Sequence, residues 1–153
     1  NIVANVPTGT GVMVMANRNV EIFDNVLGEN GTTNIMVVGY RFEHKDATYD
    51  PLPQNVVIWD NQHGRAGWDP KFRGGAEIAA AMGGSFPAIF WDGAGGASKA
   101  PVVMDSAPAL TLGLTDIMAD PTTAQPAPLA PATTRPAALP AIKLPDAMEA
   151  AVR

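Results

Sequence analysis

The sequence lacks cysteine and is poor in charge. None of the 153 residues is cysteine, which excludes disulfides, cysteine-ligated zinc, iron–sulfur clusters and thiol nucleophiles. Charged residues make up 16% of the chain, against roughly 25% in an average globular protein. The 10 basic residues are outnumbered by 15 acidic ones, so the chain carries no electrostatic signature of nucleic-acid binding. No apolar run approaches the length of about 18 residues that a membrane span needs, and we expect no span.

A repeated motif predicts the kind of fold. Residues 19–25 and 55–61 both read Asn-Val-x-Ile-aromatic-Asp-Asn, at an offset of 36 residues (55 − 19). Residues 12–15 and 35–38 correspond at an offset of 23 (35 − 12). Repeat units of this size, built from short strands with no room for a helix, are typical of a β-solenoid.

Side chains in these segments alternate between apolar types. Val12 and Val14 are predicted to face one side of a strand, with Met13 and Met15 on the other. The methionines therefore indicate packing rather than a copper site.

Asparagines recur just past the strands of successive units. Asn25 and Asn61 are equivalent in the repeat, and Asn5 joins them because residues 2–6 weakly match 22–26. The chain must turn there, and asparagine tolerates the left-handed conformation. Stacked amides can also hydrogen-bond from one unit to the next. We therefore predict a structural ladder of Asn5, Asn25 and Asn61 rather than a ligand site.

Three runs carry a resemblance to a known family. They are residues 9–22 (GTGVMVMANRNVEI), 28–35 (GENGTTNI) and 86–93 (FPAIFWDG). Together they resemble the bacterial parallel β-helix repeat-containing proteins exported to the cell envelope, within the pectate-lyase-like superfamily. The resemblance covers roughly residues 1–93. It implies a right-handed parallel β-helix, a periplasmic or extracellular location, and a chain that is a C-terminal fragment without its first coils and signal peptide.

The predicted fold class is all-β: the end of a right-handed parallel β-helix, or solenoid, with a short capping helix and a disordered tail. Residues 1–93 are expected to hold the last coils and the cap, with an insertion at 39–54. Residues 94–118 are expected to be an extended segment packed on the solenoid. The Pro/Ala-rich residues 119–153 are predicted to be disordered. The predicted helix, 76–82, stops at two glycines and would cover the open end of the coils.

The insertion and the loop after residue 63 supply the best candidate binding surface. Their aromatic side chains offer platforms for sugar rings, and their arginines can pair with uronate carboxylates. An aspartate there could act as an acid or base if burial shifted its pKa. The ligand-groove candidates are Tyr40, Tyr49, Arg65, Trp68, Asp69 and Arg73.

No motif indicates catalysis, a metal or a cofactor. His44 and His63 are 19 residues apart (63 − 44) and lack neighbours at metal-ligand spacing. The sequence contains no Gly-x-Ser-x-Gly motif and no phosphate-binding loop. We expect no catalytic residues, no metal and no cofactor.

The sequence favours an exported scaffold or binding module of the cell envelope that recognises polysaccharide or an envelope protein. The alternative is a polysaccharide lyase or epimerase acting on uronate chains, with most of its groove on preceding coils. A maturation role around a periplasmic metal centre is a third and weaker alternative.

Overall fold

The computed structural model describes residues 6–140 together with Lys143, Pro145 and Met148. Those residues contain ten short strands and one α-helix. In chain order they are β1 (Thr10–Met15), β2 (Arg18–Phe23), β3 (Val26–Leu27), β4 (Thr33–Val38), β5 (Gln54–Trp59), β6 (Gln62–His63), α1 (Gly75–Ala81), β7 (Ile89–Trp91), β8 (Val102–Val103), β9 (Ala109–Thr111) and β10 (Ala127–Pro128).

The strands form three small sheets that the chain visits in turn. A five-stranded sheet has the order β1-β4-β7-β9-β10, a three-stranded sheet β2-β5-β8, and a two-stranded sheet β3-β6. The pairs are parallel apart from β9 and β10, which are antiparallel. From β1 to β9, consecutive strands therefore lie in different sheets, and each sheet gains a strand when the chain returns to it; β10 then pairs with β9 in the same sheet.

The strand register follows the sequence repeat. Val12 lies opposite Ile35 in the pairing of β1 with β4. Val20 lies opposite Val56 in the pairing of β2 with β5. The equivalences predicted at offsets of 23 and 36 residues are therefore confirmed as neighbouring strands.

Alternate residues of the two larger sheets face a shared apolar interior. Ile35, Val37 and Ile58 have no exposed surface there. Full burial of such side chains contributes about 1.5–3 kcal/mol each. The predicted alternation is confirmed, because Val14 belongs to this interior and Met13 packs in a separate cluster on the outer face.

The second apolar cluster covers the outer face of the five-stranded sheet. Met36 and Phe90 are neighbours on that face, and α1 packs Ala79 and Ile78 against the same cluster. The helix thus lies on the face of a sheet, so its predicted position over the end of the coils was wrong. An apolar outer face draws the helix because burying both surfaces removes them from water.

The predicted fold class, an all-β solenoid end, is also corrected. Helix accounts for 10% of the residues and strand for 29%, and the described strands do not close into a continuous solenoid. The sheets have five, three and two strands because two irregular stretches interrupt the repeat. These are residues 39–53 and residues 64–88, where glycine and proline are frequent and α1 is the regular element.

The Pro/Ala-rich segment is likewise not the disordered tail that its composition predicted, as far as residue 140. Its strand β10 pairs with β9, and Leu129 packs against the interior cluster. The backbone N–H of Ala132 donates to the carbonyl of Val103 at 2.6 Å. Proline is tolerated in β10 because this strand lies at the sheet edge, where a missing N–H costs little.

Candidate binding groove

A groove lies on the outer face of the five-stranded sheet, beside α1. Met13, Met36 and Phe90 form its floor, because their strands pair with these three residues side by side. Met15 and Val38 extend the floor along β1 and β4. Strand alternation therefore creates an apolar strip on the outside of the sheet.

Two irregular segments contribute arginine and phenylalanine side chains to the lining, and residues before β1 and after β9 complete it. Arg41 and Phe42 belong to the insertion after β4, and Phe72 and Arg73 precede α1. The enclosed volume is about 220 Å³. The two phenylalanines extend the apolar surface, and the two guanidinium groups add positive charge to it.

Both arginines contact the loop at residues 119–120. Nη1 of Arg41 donates to the carbonyl oxygen of Ala119 at 3.0 Å. Nη2 of Arg73 lies 3.7 Å from Oδ2 of Asp120. Hydrogen bonds from Thr122, and then the nearby charges of Arg73 and Arg41, hold the pKa of the Asp120 carboxyl below its usual value. The guanidinium groups therefore favour a carboxylate at this position.

A buried carboxyl group also lines the groove. Asp92 follows β7 and is 3% exposed. Its Oδ2 accepts from the backbone N–H of Gly39, and its Oδ1 from that of Ala94, both at 2.9 Å. Burial raises the pKa of Asp92, against the lowering effect of these hydrogen bonds and of Arg41. The groove therefore contains a carboxyl group whose protonation costs less than in water.

Of the residues predicted from sequence to bind ligand, Arg73 is the one that the structure places in the groove lining. Tyr40 and Tyr49 pack edge to face, with ring centroids 5.5 Å apart. The ring centroid of Tyr40 also lies 5.3 Å from that of Phe42, so Tyr40 contacts a lining residue of the groove.

The remaining predicted ligand residues lie outside the groove lining. The guanidinium carbon of Arg65 is 4.1 Å from the ring centroid of Trp68, and Arg65 also lies 3.8 Å from Glu29. Asp69 pairs with Lys71 at 2.7 Å on the exposed surface. These charges are compensated by local partners and do not converge on one point.

The predicted ladder residues lie inside a longer polar chain at the corner of the sheets. Oδ1 of Asn61 accepts from Nδ2 of Asn25 at 2.9 Å, and Asn5 lies outside the described residues. The left-handed conformation occurs at Asp24 and Asp60, one residue earlier than predicted. The turn therefore uses the aspartates for conformation and leaves the asparagine amides for hydrogen bonding.

Sequence reasoning missed the rest of this polar chain. Nδ2 of Asn61 donates to Oδ2 of Asp105 at 3.0 Å, and Nε2 of His63 lies 2.8 Å from the same oxygen. Nδ2 of Asn34 lies 3.3 Å from Nδ1 of His63. The side chains of His63 and Asp105 are 6% and 2% exposed. The spacing of Asn61, just before β6, and His63 on β6 was a usable signal, but nothing local points to Asp105.

The groove itself was also missed. The alternation placed Met13 and Met15 together on one face of their strand, and that signal indicated packing rather than the floor of a groove. Asp92 and Arg41 converge only through the fold, because they are 51 residues apart in the chain (92 − 41).

Metal and membrane features are absent from the part of the chain that the structure describes. No group of three or more His, Cys, Asp or Glu side chains in residues 6–140 is arranged to hold a metal ion. None of the helices described there has the length and apolar character needed to cross a bilayer.

Comparison with known proteins leaves the family resemblance as a prediction. No protein-family model, curated protein or solved structure matches this chain.

Proposed function

We propose that this chain is a binding module, with the groove on the five-stranded sheet as its site and a part-apolar carboxylate as its ligand. The observation that carries the proposal is an apolar floor that the described residues, 6–140, leave open beside two guanidinium groups. Met13, Met15 and Val38 keep part of their surface exposed, whereas the outer face farther along the sheet is covered by α1 and the loop after β9.

The chain itself shows which chemistry suits the arginines. Asp120 brings a carboxylate to Arg73, and hydrogen bonds from Thr122, followed by the charges of Arg73 and Arg41, lower the pKa of that carboxyl. The side chain of Asp120 is 49% exposed, so an incoming carboxylate can take its place without disturbing the core. Guanidinium groups bind carboxylates through charge-assisted hydrogen bonds.

The size of the groove limits what it can enclose. Its volume of about 220 Å³ exceeds the roughly 150 Å³ of an engineered cavity that binds benzene. It is smaller than the pockets of about 300–1,000 Å³ that take drug-sized molecules. The enclosed part of the ligand is therefore one ring or a short alkyl chain, and methionines adapt well to either.

A ligand series of equal chain length tests the proposal. Octanoate, octanol and octylammonium are titrated into the protein and followed by calorimetry and by the methyl NMR signals of the groove methionines. Octanoate is expected to bind most tightly. Arg73→Gln and Arg41→Gln should weaken octanoate and leave octanol unchanged, and Met13→Trp should weaken both by filling the floor.

Two further variants sharpen the test. Asp120→Asn removes the competing charge, keeps an oxygen that accepts from Thr122, and should strengthen octanoate binding. Arg65→Gln is the matched control, because Arg65 is an exposed arginine paired with Glu29 outside the groove lining. Equal binding of all three ligands would contradict the anion preference, and binding of none would contradict the binding module.

An acidic polysaccharide is the carboxylate that the sequence resemblance favours. A uronate carboxylate would meet Arg41 and Arg73 while its ring lies on Phe42 or Phe72. The proposed cell-envelope location, periplasmic or extracellular, is supported by the same resemblance. An oligogalacturonate in the titration distinguishes this source of carboxylate from a fatty acid.

The alternative function, a uronate lyase or epimerase, has one observation in its favour. Asp92 is a buried carboxyl with a raised pKa in the groove near Arg41, a combination found at acid–base sites. Ultraviolet absorbance of unsaturated uronate products tests elimination directly. Growth of that absorbance, lost in Asp92→Asn, would replace the binding module with a lyase.

A further inference from the structure

The outer face of the three-stranded sheet carries a second, unrelated constellation. Glu21 and Phe23 point outward from β2, and Trp59 points outward from β5 opposite Phe23. The rings of Phe23 and Trp59 stack at 4.7 Å with an interplanar angle of 12°. The carboxylate of Glu21 thus lies beside an extended aromatic surface on a rigid sheet.

A guanidinium group fills this constellation. The Cζ atom of Arg135 lies 3.6 Å from the ring centroid of Trp59. Nη2 of the same residue lies 3.1 Å from Oε1 of Glu21. The side chains of Arg135 and Glu21 are 37% and 19% exposed, so the contact is partly shielded from water.

The geometry favours arginine over lysine. A planar guanidinium can lie over an indole ring and direct an N–H edge at a carboxylate simultaneously. An ammonium group is more strongly hydrated and has no flat face to stack. The site therefore selects a cation by its planar shape as well as by its charge.

As far as residue 140, the segment that carries Arg135 is held at few points. Before it, Leu129 N–H donates to the Ala109 carbonyl and Ala132 N–H to the Val103 carbonyl. Thr133, Thr134 and Arg135 itself are exposed residues. A proline-rich segment with few buried contacts opens at low free-energy cost, and its extended form is already close to the bound one.

We propose that Glu21, Phe23 and Trp59 form a guanidinium-binding site that Arg135 fills within one chain and that also accepts Arg135 of a second copy. The resident ligand identifies the partner chemistry, and every copy carries the same segment. Within one chain the contact benefits from a high effective concentration, so exchange between copies becomes visible once the internal contact is removed. This site is on a different sheet from the proposed groove, and neither depends on the other.

The first measurement is the NMR signal of the Arg135 Nε–H proton in the full chain. A guanidinium stacked over indole is shifted upfield by the ring current of Trp59. The shift should disappear in Trp59→Leu and diminish in Glu21→Gln, a surface change that leaves the sheet intact. An unshifted signal in the wild-type protein would overturn the proposal.

Complementation between two variants tests exchange. One copy carries Glu21→Gln and Trp59→Leu, so it has a free Arg135 and no site; it alone is isotopically labelled. The other copy carries Arg135→Ala, so its site is vacant. Mixing them should restore the upfield shift of the labelled Arg135 in proportion to concentration, together with a heterodimer in sedimentation.

Matched controls decide between this site and general charge attraction. A partner carrying Arg135→Ala and Trp59→Leu should restore nothing, and a labelled copy with Arg135→Lys should gain no dimer. Failure of the first mixture at millimolar concentration, or equal dimerisation with the lysine copy, would each overturn the proposal.

Discussion

The outer faces of the two larger sheets are built from the same kind of strand and present opposite surfaces. On the five-stranded sheet, Met13, Met36 and Phe90 form a methionine-rich apolar strip that α1 partly covers. On the three-stranded sheet, Phe23 and Trp59 form an aromatic stack with Arg135 across it. One face is covered in part by a helix, and the other is crossed by a proline-rich segment.

The difference shows that a shared interior leaves the outer positions free to diverge. Inward residues of both sheets are mostly valine and isoleucine, with Trp91 on β7, because they meet in one close-packed core. Outward residues meet whatever the connecting segments supply. A long apolar strip needs a helix to cover it, whereas an aromatic pair beside a carboxylate is satisfied by a single arginine.

Truncating one phenylalanine on each face should give the largest difference in unfolding free energy between the two faces. Phe90 is 3% exposed and stacks on Phe72, so Phe90→Ala should cost about 3–5 kcal/mol of unfolding free energy. Phe23 is 46% exposed and loses mainly its stack on Trp59, so Phe23→Ala should cost about 1 kcal/mol. Urea denaturation measures both; equal losses would break the contrast between the faces.

The polar chain at the corner should affect both sheets together. Asn61→Ala removes the acceptor for Asn25 and a donor to Asp105, and should cost about 1–3 kcal/mol. Amide hydrogen exchange should then accelerate in both sheets. Asn25→Ala removes the hydrogen bond to Asn61 at the more exposed end of the polar chain, and it is expected to lower the unfolding free energy by less. Loss of protection in one sheet alone would show that the corner does not couple them.

The stability of the protein should depend on pH because Asp92, which lines the groove, has a raised pKa. Burial raises the folded-state pKa of Asp92 above 3.8, so the native state binds a proton that the unfolded chain lacks between the two values. The contribution of Asp92 to the free energy of unfolding therefore grows as pH falls through the folded-state pKa and is lost as pH rises. The Tm of the wild type should therefore rise relative to the Tm of Asp92→Asn as the pH is lowered from neutral to about pH 4. Parallel profiles would contradict the raised pKa.

Replacing Ala16, where the chain passes from one sheet to the other, is expected to give a small gain in unfolding free energy. Ala16, between β1 and β2, has a φ of 55°, which costs alanine more than glycine. Ala16→Gly should raise the unfolding free energy by about 0.5 kcal/mol, after the entropy of the unfolded glycine is subtracted. Ala80→Gly in α1 is the matched control and should lower it by about 1 kcal/mol. A loss at both positions would show that the turn tolerates alanine without strain.

Local pattern was sufficient for the strands of the repeat. The match of residues 19–25 to 55–61 predicted the pairing of β2 with β5, and the alternation predicted that Val14 and Met13 lie on opposite sides of their strand. Both features repeat within short segments, so they can be read without knowing the rest of the chain. The helix was also predicted to within a residue at each end.

Composition misled where distant contacts decide the outcome. Proline and alanine predicted disorder after residue 119, yet Leu129 reaches the interior cluster and Arg135 reaches Trp59. The capping position predicted for α1 followed from the solenoid interpretation, whereas the apolar outer face of the five-stranded sheet determined where it packs. A single long-range contact outweighs an average preference of the segment that carries it.

The amino-acid sequence by itself determined the strand repeat, its register and the alternation of side chains along each strand, because these depend on residues two or 23 to 36 positions apart that carry the same pattern. Tertiary structure decided where the outward side chains find partners. Arg41 and Arg73 line one groove with Asp92, and Glu21 meets Arg135 across 114 residues of chain. Such convergence depends on how the irregular segments pack, and packing energies are summed over the whole molecule rather than encoded in any one segment.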